Sequence, residues 1–326
     1  MRSEAPVAAF TFERRAMGSP LRLTVVGGSP DDAALTWAHV SDEFEAAEQA
    51  LSRFRESSDL TTVNRAAGTG DPRRVDRRLA TALAAADRAG RVTDGRFDAR
   101  VLGDLERLGY AGAELPAEIS TVHRGDPGRE SPAPARWLSI DPRTDTLAIA
   151  APVDLGGIGK GLALRWAWRR AVRAGIVDRL GGGLLEAGGD LVAGGIAPQP
   201  GPWIVGIEDP TGGDGPLATV AVGAGAVATS STLVHRWTGD DGRAVHHLID
   251  PRTGEPGGIG LLSVTVAGPD PAWAEVWSKS LFLCGRPGIA SLARTRGLAA
   301  WWVDEEGRLE MTPAARVRTS WVAAEA

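Results

Sequence analysis

The sequence predicts an α+β fold, because helical patterns and hairpin-linked strand patterns occur together along one chain. The N-terminal segment FTFERRAMGSPLRLTVVG alternates like the two strands of a β-hairpin. Two later segments space their apolar residues as helices do, and the second half is rich in glycine and short β runs. With 326 residues and 43% hydrophobic content, the chain is long enough for a large core, in one large domain or two ordinary ones.

After the hairpin, the sequence predicts a helix that begins at Ser29. Ser29 is a good N-cap, Pro30 suits the first helical position, and Asp31 and Asp32 favour the positive end of the helix dipole. The apolar positions that follow at helical spacing are Trp37, Val40, Phe44, Ala47 and Leu51. A second, alanine-rich helix is predicted from about Asp76 to Arg91.

Residues 111–136 are polar and rich in proline, which indicates a surface excursion and not a domain boundary. We therefore expect a single domain over 1–326. Beyond the excursion, short strands are predicted in GGLLEAGGDLVAGG, WIVGIEDP, ATVAVGAGAVATSS and LLSVTVAGP. Asp270 and Pro271 then begin a final helix, AWAEVWSKSLFLCG.

The composition excludes several classes of protein. A net charge of -5 with no basic block argues against a nucleic-acid-binding surface. Cys284 is the only cysteine, so no internal disulfide can form. The N-terminal residues lack the apolar core of a signal peptide, and no apolar run is long enough to span a membrane. We expect a cytoplasmic protein without a membrane segment.

The segment VDLGGIGKGLA, residues 153–163, predicts a phosphate-binding loop. Glycines let a ligand approach backbone N–H groups, and the segment lies between a predicted strand and a predicted helix. It matches neither the Walker A motif nor a complete G-x-G-x-x-G motif, so the kind of phosphate stays open. Lys160 in this segment and Lys279 are the two lysines among 34 arginines, by chance or because an ammonium is needed there.

Three other stretches combine turn residues with polar side chains. In TDGRFDARVLG, Phe97 and Asp98 fit either a ring-binding pair or a hydrophobic anchor with a solvated cap. The hydroxyl run 229–232 follows a predicted strand and fits phosphate binding or helix capping. In HHLIDPRTGEP, His247 and Asp250 fit a general base with its carboxylate or an ordinary turn.

The predicted last helix places Glu275 four residues before Lys279. On a solvated face this spacing makes a weak surface ion pair. Buried beside a phosphate, the same two charges would have a functional role.

Taken in order, these motifs resemble the ApbE family, the FAD:protein FMN transferases. The stretches that carry the resemblance are MGSPLRLTV, LSRFRESSDLTTVN, TDGRFD, DLGGIGKG, GGDL, WIVGIEDP, AVATSS, HHLIDPRTGEP and AEVWSKSLFLCG. They extend from about Met17 to near Trp302. The resemblance implies a single ApbE-like domain, related to the T-fold, with two lobes around a flavin cleft. It also implies FAD and Mg²⁺, and transfer of the FMN half of FAD to a Ser or Thr hydroxyl of an acceptor protein, with release of AMP.

The resemblance implies roles for particular residues. Those that would contact FAD are Met17, Phe54, Arg96, Phe97, Asp98, Asp154, Lys160 and Leu248. Gly157 would offer its carbonyl to the metal, and His247 is the candidate base, oriented by Asp250. A hydroxyl nucleophile that attacks a pyrophosphate needs such charge neutralisation and proton removal.

The last helix departs from the family pattern A-D-x-x-x-T, whose Asp and Thr bind magnesium. Here Glu275 stands in place of the Asp, and Lys279 in place of the Thr. Glutamate can still ligate a metal, but an ammonium has no lone pair to give. We interpret Lys279 as a fixed positive charge that takes over part of the metal's role, against the pyrophosphate or paired with Glu275.

The family's acceptor segment, Ser/Thr-Gly-Ala-Ser/Thr, is absent from this chain, which predicts that the acceptor is another protein. Two alternatives stay open. Water could be the nucleophile, which would make the protein an FAD pyrophosphatase that forms FMN and AMP. The protein could also bind or carry FAD without chemistry.

Overall fold

Antiparallel strands build the centre of the structure, a computed structural model that describes residues 7–110, 136–141, 143–239, 242 and 244–323. In chain order the strands begin with β1 (Ala9–Ala16), β2 (Ser19–Val26), β3 (Arg73–Arg74), β4 (Leu138–Asp141), β5 (Thr146–Ile149), β6 (Gly182–Ala187), β7 (Asp190–Gly195), β8 (Trp203–Ile207) and β9 (Ala218–Val222). They continue with β10 (Gly225–Ser231), β11 (Arg236–Thr238), β12 (Ala244–His246), β13 (Ile249–Asp250), β14 (Glu255–Pro256), β15 (Leu261–Gly268), β16 (Ala299–Asp304), β17 (Leu309–Met311) and β18 (Thr319–Val322). The main sheet has the order β1-β2-β6-β7-β10-β15-β16-β17, and a small sheet has the order β18-β9-β8.

The helices pack against this framework, and their starts follow from local sequence. They are α1 (Pro30–Leu51), α2 (Asp59–Arg65), α3 (Arg77–Val92), α4 (Leu102–Arg107), α5 (Gly159–Arg173), α6 (Pro271–Leu283), α7 (Gly285–Thr295) and α8 (Pro313–Arg316). The side chains of Ser29, Asp76 and Asp270 accept backbone N–H groups at the starts of α1, α3 and α6, as helix caps do. No helix in the described ranges is both long enough and apolar enough to cross a membrane.

The main sheet is covered on both faces. Leu21, Leu23 and Val25 of β2 pack with Phe44 of α1 and Ala167 of α5 in one buried cluster. A second cluster joins strands of the main sheet to the small sheet, which lies on the opposite face. Apolar side chains on both faces of the sheet therefore hold the helices and the small sheet in place.

Two tight hairpin turns lie side by side at the same end of the strands of the main sheet. The turn between β1 and β2 consists of Met17 and Gly18, and the turn between β6 and β7 of Gly188 and Gly189, all with positive φ. Positive φ at both central residues is the geometry of a type I′ turn, which matches the twist of the flanking strands. A Cβ atom on Gly188 would lie 2.8 Å from the Cβ of Ser19, so the two turns need this glycine to pack together.

Helices α5 and α6 meet through backbone at Gly161. A Cβ atom on Gly161 would lie 2.6 Å from the Cα of Ala272 and 2.7 Å from the carbonyl oxygen of Pro271. Distances this short leave no space for a side chain. The glycine therefore brings the first turns of α5 and α6 together, and with them the functional side chains that both helices carry.

The α+β prediction, the N-terminal hairpin and the helices predicted near residues 30–51 and 76–91 are confirmed. The helix after the glycine segment begins at Gly159, so Lys160 stands in its first turn. The helix predicted to be the last is followed by α7 and α8, so that part of the prediction is wrong. Thr229, Ser230 and Ser231 lie within β10 and not after it. The predicted excursion at 111–136 lies outside the described residues, except for its last residue.

We predict that Gly161→Ala lowers the free energy of unfolding by about 2 kcal/mol or more, because the added methyl overlaps the backbone of α6. Gly103→Ala in α4 is the matched control. Its added methyl meets no atom within 4 Å, and it should leave stability unchanged or raise it by up to about 1 kcal/mol. Urea unfolding followed by circular dichroism measures both, and equal effects would contradict the assigned contact.

Candidate active site

A cleft of about 1630 Å³ lies where the two hairpin turns meet the glycine segment and α6. Its walls also include the end of α1, the end of β10 and the strand β8 of the small sheet. This volume exceeds the ~300–1,000 Å³ of ordinary small-molecule sites. The cleft therefore has room for a dinucleotide together with part of a second reactant.

Hydrogen bonds to its backbone hold the glycine segment in place before the helix begins. The side chain of Asn64 donates to the carbonyl of Val153 and accepts from its N–H, each at 2.9 Å. The N–H of Asp154 donates to the carbonyl of Ala99 at 2.7 Å. The carboxylate of Asp154 accepts the N–H of Gly156, also at 2.7 Å. The segment is thus anchored at its start, and Gly156, Gly157 and Gly159 line the cleft.

Arg53 holds the other oxygen of the Asp154 carboxylate. Its Nε lies 2.7 Å from Asp154 Oδ2, and both side chains are largely buried. The guanidinium of Arg53 lies 4.3 Å from the ring centre of Phe54 and 5.1 Å from that of Tyr110. Cation–π contacts of this kind keep the arginine between the two rings. The pair links the glycine segment to the aromatic side of the cleft.

Lys160 and Asp190 form an ion pair on the floor of the cleft. Lys160 Nζ donates to Asp190 Oδ2 at 2.7 Å, and Asp190 Oδ1 accepts the N–H of Thr229 at 3.0 Å. Burial lowers the pKa of Lys160, but the carboxylates of Asp190 and Glu275 outweigh it and raise the pKa above its ordinary value. Lys160 is therefore a permanent positive charge.

Glu275 and Lys279 point from α6 toward the same floor. Glu275 Oε2 accepts the N–H of Gly161 at 2.7 Å. Burial raises the pKa of Glu275 to about 7, although both lysines and this hydrogen bond act in the opposite direction. Burial lowers the pKa of Lys279, while the carboxylates of Glu275, Asp154 and Asp190 act to keep it charged. The ammonium of Lys279 lies over Gly157, where a Cβ atom would be only 2.7 Å from Nζ.

His247 stands on the wall of the same cleft. Its Nδ1 is buried and has no hydrogen-bond partner among the described residues, and its ring packs edge-on against His235 at 5.1 Å. Burial lowers the pKa of His247 well below the ordinary value, and the positive charge of Lys279 lowers it further. At neutral pH the imidazole is therefore uncharged and able to accept a proton.

Two residues expected at the site lie elsewhere. The Asp250 carboxylate binds the guanidinium of Arg252, at 2.9 Å from Nε and 2.5 Å from Nη2, so the expectation that it orients His247 is wrong. Leu248 is completely buried in a hydrophobic cluster with Phe282 and does not line the cleft. The two-residue spacing lets Asp250 bind Arg252 locally, and the backbone turns Leu248 toward the core.

The other residues named from the sequence do line the cleft: Met17, Phe54, Arg96, Phe97, Asp98, Asp154, Gly157, Lys160, Glu275 and Lys279. Phe54 is 57% exposed, whereas Phe97 is only 3% exposed. The Asp98 carboxylate is already held by the guanidinium of Arg100, at 2.9 Å from Nε and 2.6 Å from Nη2. The N–H of Met17 donates to Glu48 at 3.0 Å, which fixes the β1–β2 turn.

Sequence reasoning missed two residues that organise the floor of the cleft, Arg53 and Asp190. Asp190 follows the two glycines of the β6–β7 turn, and a buried acid directly after such a turn could have indicated a partner for a lysine. Arg53 is adjacent to Phe54, but nothing in the sequence connects it to Asp154, about 100 positions away.

The donor set does not fit a resident divalent cation. Gly157 and Glu275, the expected ligands, both lie near the ammonium of Lys279, which repels cations and donates no lone pair. One oxygen of Glu275 is already taken by the N–H of Gly161. Within the part of the chain that the structure describes, no group of three or more His, Cys, Asp and Glu side chains is arranged to hold a metal ion.

Comparison with known proteins finds matches over nearly the whole chain. A family model described as the ApbE family matches residues 17–302. A protein of Salmonella typhimurium named FAD:protein FMN transferase is 30% identical over 309 residues, which cover 93% of this chain and 86% of that protein. A protein of the same name from Escherichia coli K12 is 27% identical over 303 residues, which cover 91% of this chain and 84% of that one.

Solved structures share the fold. The ApbE protein of Thermotoga maritima superposes with a TM-score of 0.80 and 24% identity, covering 95% of this chain and 99% of that one. The flavin transferase ApbE from Vibrio cholerae superposes with a TM-score of 0.77 and 21% identity, covering 96% and 100% of the two chains.

We predict that the imidazole of His247 titrates below pH ~6.5 in the folded protein, and near that ordinary value when the protein is unfolded in urea. Between the two pKa values the unfolded chain binds more protons than the folded protein, so the free energy of unfolding falls as the pH drops through this window. NMR titration measures the pKa directly, with the His247 signal assigned by its loss in His247→Gln. A folded-state pKa at or above ~6.5 would contradict the assigned burial.

Proposed function

The chain belongs to the ApbE family, and we propose that it transfers the FMN half of FAD to a Ser or Thr hydroxyl of an acceptor protein, releasing AMP. The observation that carries the proposal is the convergence of Lys160, Lys279 and a neutral His247 on one large cleft. Two ammonium groups suit a pyrophosphate, and a neutral imidazole suits the removal of a hydroxyl proton.

The reaction follows from these groups. The acceptor's hydroxyl oxygen attacks the phosphorus of the FMN half and forms a new P–O bond, while its proton passes to an imidazole nitrogen of His247. The bond from the same phosphorus to the bridging oxygen breaks, and AMP leaves with that oxygen. Negative charge grows on the bridging oxygen during this step, so a fixed positive charge at the floor of the cleft lowers the barrier.

The aromatic side of the cleft supports binding of the flavin half. The exposed ring of Phe54 is backed by Arg53, so one face of the ring is free for a flat aromatic system. Met17 lies on the neighbouring hairpin turn, and Arg96 and Phe97 line the wall beyond it. We propose that these four residues hold the isoalloxazine ring and that Asp154 and Lys160 contact the rest of the dinucleotide.

The experiment incubates the protein with FAD and an acceptor domain that carries a Ser/Thr-Gly-Ala-Ser/Thr segment. Intact mass spectrometry of the acceptor and chromatography of free nucleotides are read together. The proposal expects the acceptor to gain one FMN with release of an equal amount of AMP. FMN and AMP with an unmodified acceptor would show a pyrophosphatase, and FAD that stays intact and bound would show a carrier.

We predict that His247→Gln slows FMN transfer by roughly 100- to 10,000-fold, because the acceptor hydroxyl loses its base, with little change in FAD affinity. His246→Gln is the matched control. The ring of His246 packs against Phe282 at 5.8 Å and does not line the cleft, so its replacement should change the rate of transfer by less than about tenfold. Rates are measured from the modified fraction of acceptor over time at saturating FAD.

Similar losses in both variants would show that the His247 effect is structural. An unchanged rate in His247→Gln would show that another group accepts the proton.

A further inference from the structure

The ammonium group of Lys279 lies in the cleft and, unlike Lys160 and Arg53, has no carboxylate of the described residues as an ion-pair partner. Lys160 is paired with Asp190, and Arg53 with Asp154, each at 2.7 Å. Lys279 forms no ion pair with any Asp or Glu of the described ranges. Its charge therefore remains available to a ligand.

The surroundings of Lys279 keep its ammonium in one place. Gly157 has no side chain, and a Cβ atom there would lie 2.7 Å from Nζ and 3.2 Å from Cδ of the lysine. The same position would lie 3.0 Å from the ring of Phe97, so the lysine is confined between the glycine segment and this ring. Space opened by Gly157 is thus filled by Lys279.

Burial lowers the pKa of Lys279, and the charged groups around it act in both directions without forming an ion pair with it. Carboxylates of Glu275, Asp154 and Asp190 attract it from three elements, and Lys160 repels it. Glu275 is occupied by the N–H of Gly161, and the other two carboxylates by their own cations. An anion that entered the cleft would find the Lys279 ammonium with free N–H donors.

We propose that Lys279 is the built-in counter-cation for the pyrophosphate of FAD, so that this protein binds FAD without a divalent metal ion. The inference rests on FAD being the substrate, as proposed above. A charge-assisted hydrogen bond from an ammonium to a phosphate oxygen supplies the neutralisation that a bound cation would otherwise supply. A divalent ion at the same position would meet the ammonium at close range and be repelled.

The test measures equilibrium binding, without an acceptor protein, by quenching of flavin fluorescence. FAD and riboflavin are titrated into the wild type, Lys279→Met and Lys279→Arg, each with EDTA and again with excess magnesium chloride. Met keeps the length of the side chain without its charge, and Arg keeps the charge. Riboflavin has no phosphate and serves as the ligand control, and thermal unfolding confirms that each variant is folded.

In EDTA, we expect Lys279→Met to bind FAD about 10- to 100-fold more weakly than the wild type, with riboflavin affinity unchanged. Lys279→Arg should retain most of the affinity for FAD. Magnesium should change the affinity of the wild type by no more than about twofold.

Two results would overturn the inference. One is FAD affinity in Lys279→Met equal to that of the wild type in EDTA. The other is a wild type whose affinity for FAD increases about tenfold or more with magnesium, which can be measured even if the variants do not fold. This binding assay contains no acceptor protein, so it is independent of the transfer assay described above. If FMN transfer is observed but FAD binding requires magnesium, the inference fails and the proposed function stands. If FAD binds without metal but no transfer is observed, the proposed function fails and the inference stands.

Discussion

The close contact between the first turns of α5 and α6 is the constraint on which the site depends. The helices approach through the backbone at Gly161, and the same residue donates its N–H to the carboxylate of Glu275. One position before Gly161, Lys160 reaches into the cleft, and one turn after Glu275, Lys279 enters it from the other helix. A side chain at Gly161 would separate the two lysines and leave the buried carboxylate without its donor.

Burial and neighbouring charges together set the charge states of Lys160 and His247 in this cleft. Asp190 keeps Lys160 charged, and burial together with the positive charge of Lys279 keeps His247 neutral. Desolvation disfavours the charged form of both groups, and Lys160 stays charged because nearby carboxylates outweigh this effect. Anion binding and proton removal can then take place in one cleft at neutral pH.

Local chemistry in the sequence predicted the parts of the fold that depend on short-range contacts. The cap at Ser29 and the alternating pattern of β1 and β2 involve neighbours within a few residues, and both were predicted correctly. Asp250 was assigned to His247 because three positions separate them, but Arg252 is nearer and has the opposite charge. The pairing of Arg53 with Asp154 depends on how α1 packs beside the glycine segment, which no short-range pattern reveals. Lys279 was recognised as unusual from the sequence, but its position over Gly157 required the structure.

The most direct test of the site is a crystal structure of the protein grown with FAD and manganese, whose anomalous scattering locates a divalent ion. We predict a pyrophosphate oxygen within hydrogen-bond distance of the Lys279 ammonium, the flavin ring on the side of Phe54, and no anomalous peak between Gly157 and Glu275. An ion bound by the Gly157 carbonyl and Glu275, with Lys279 turned away from the pyrophosphate, would contradict this prediction.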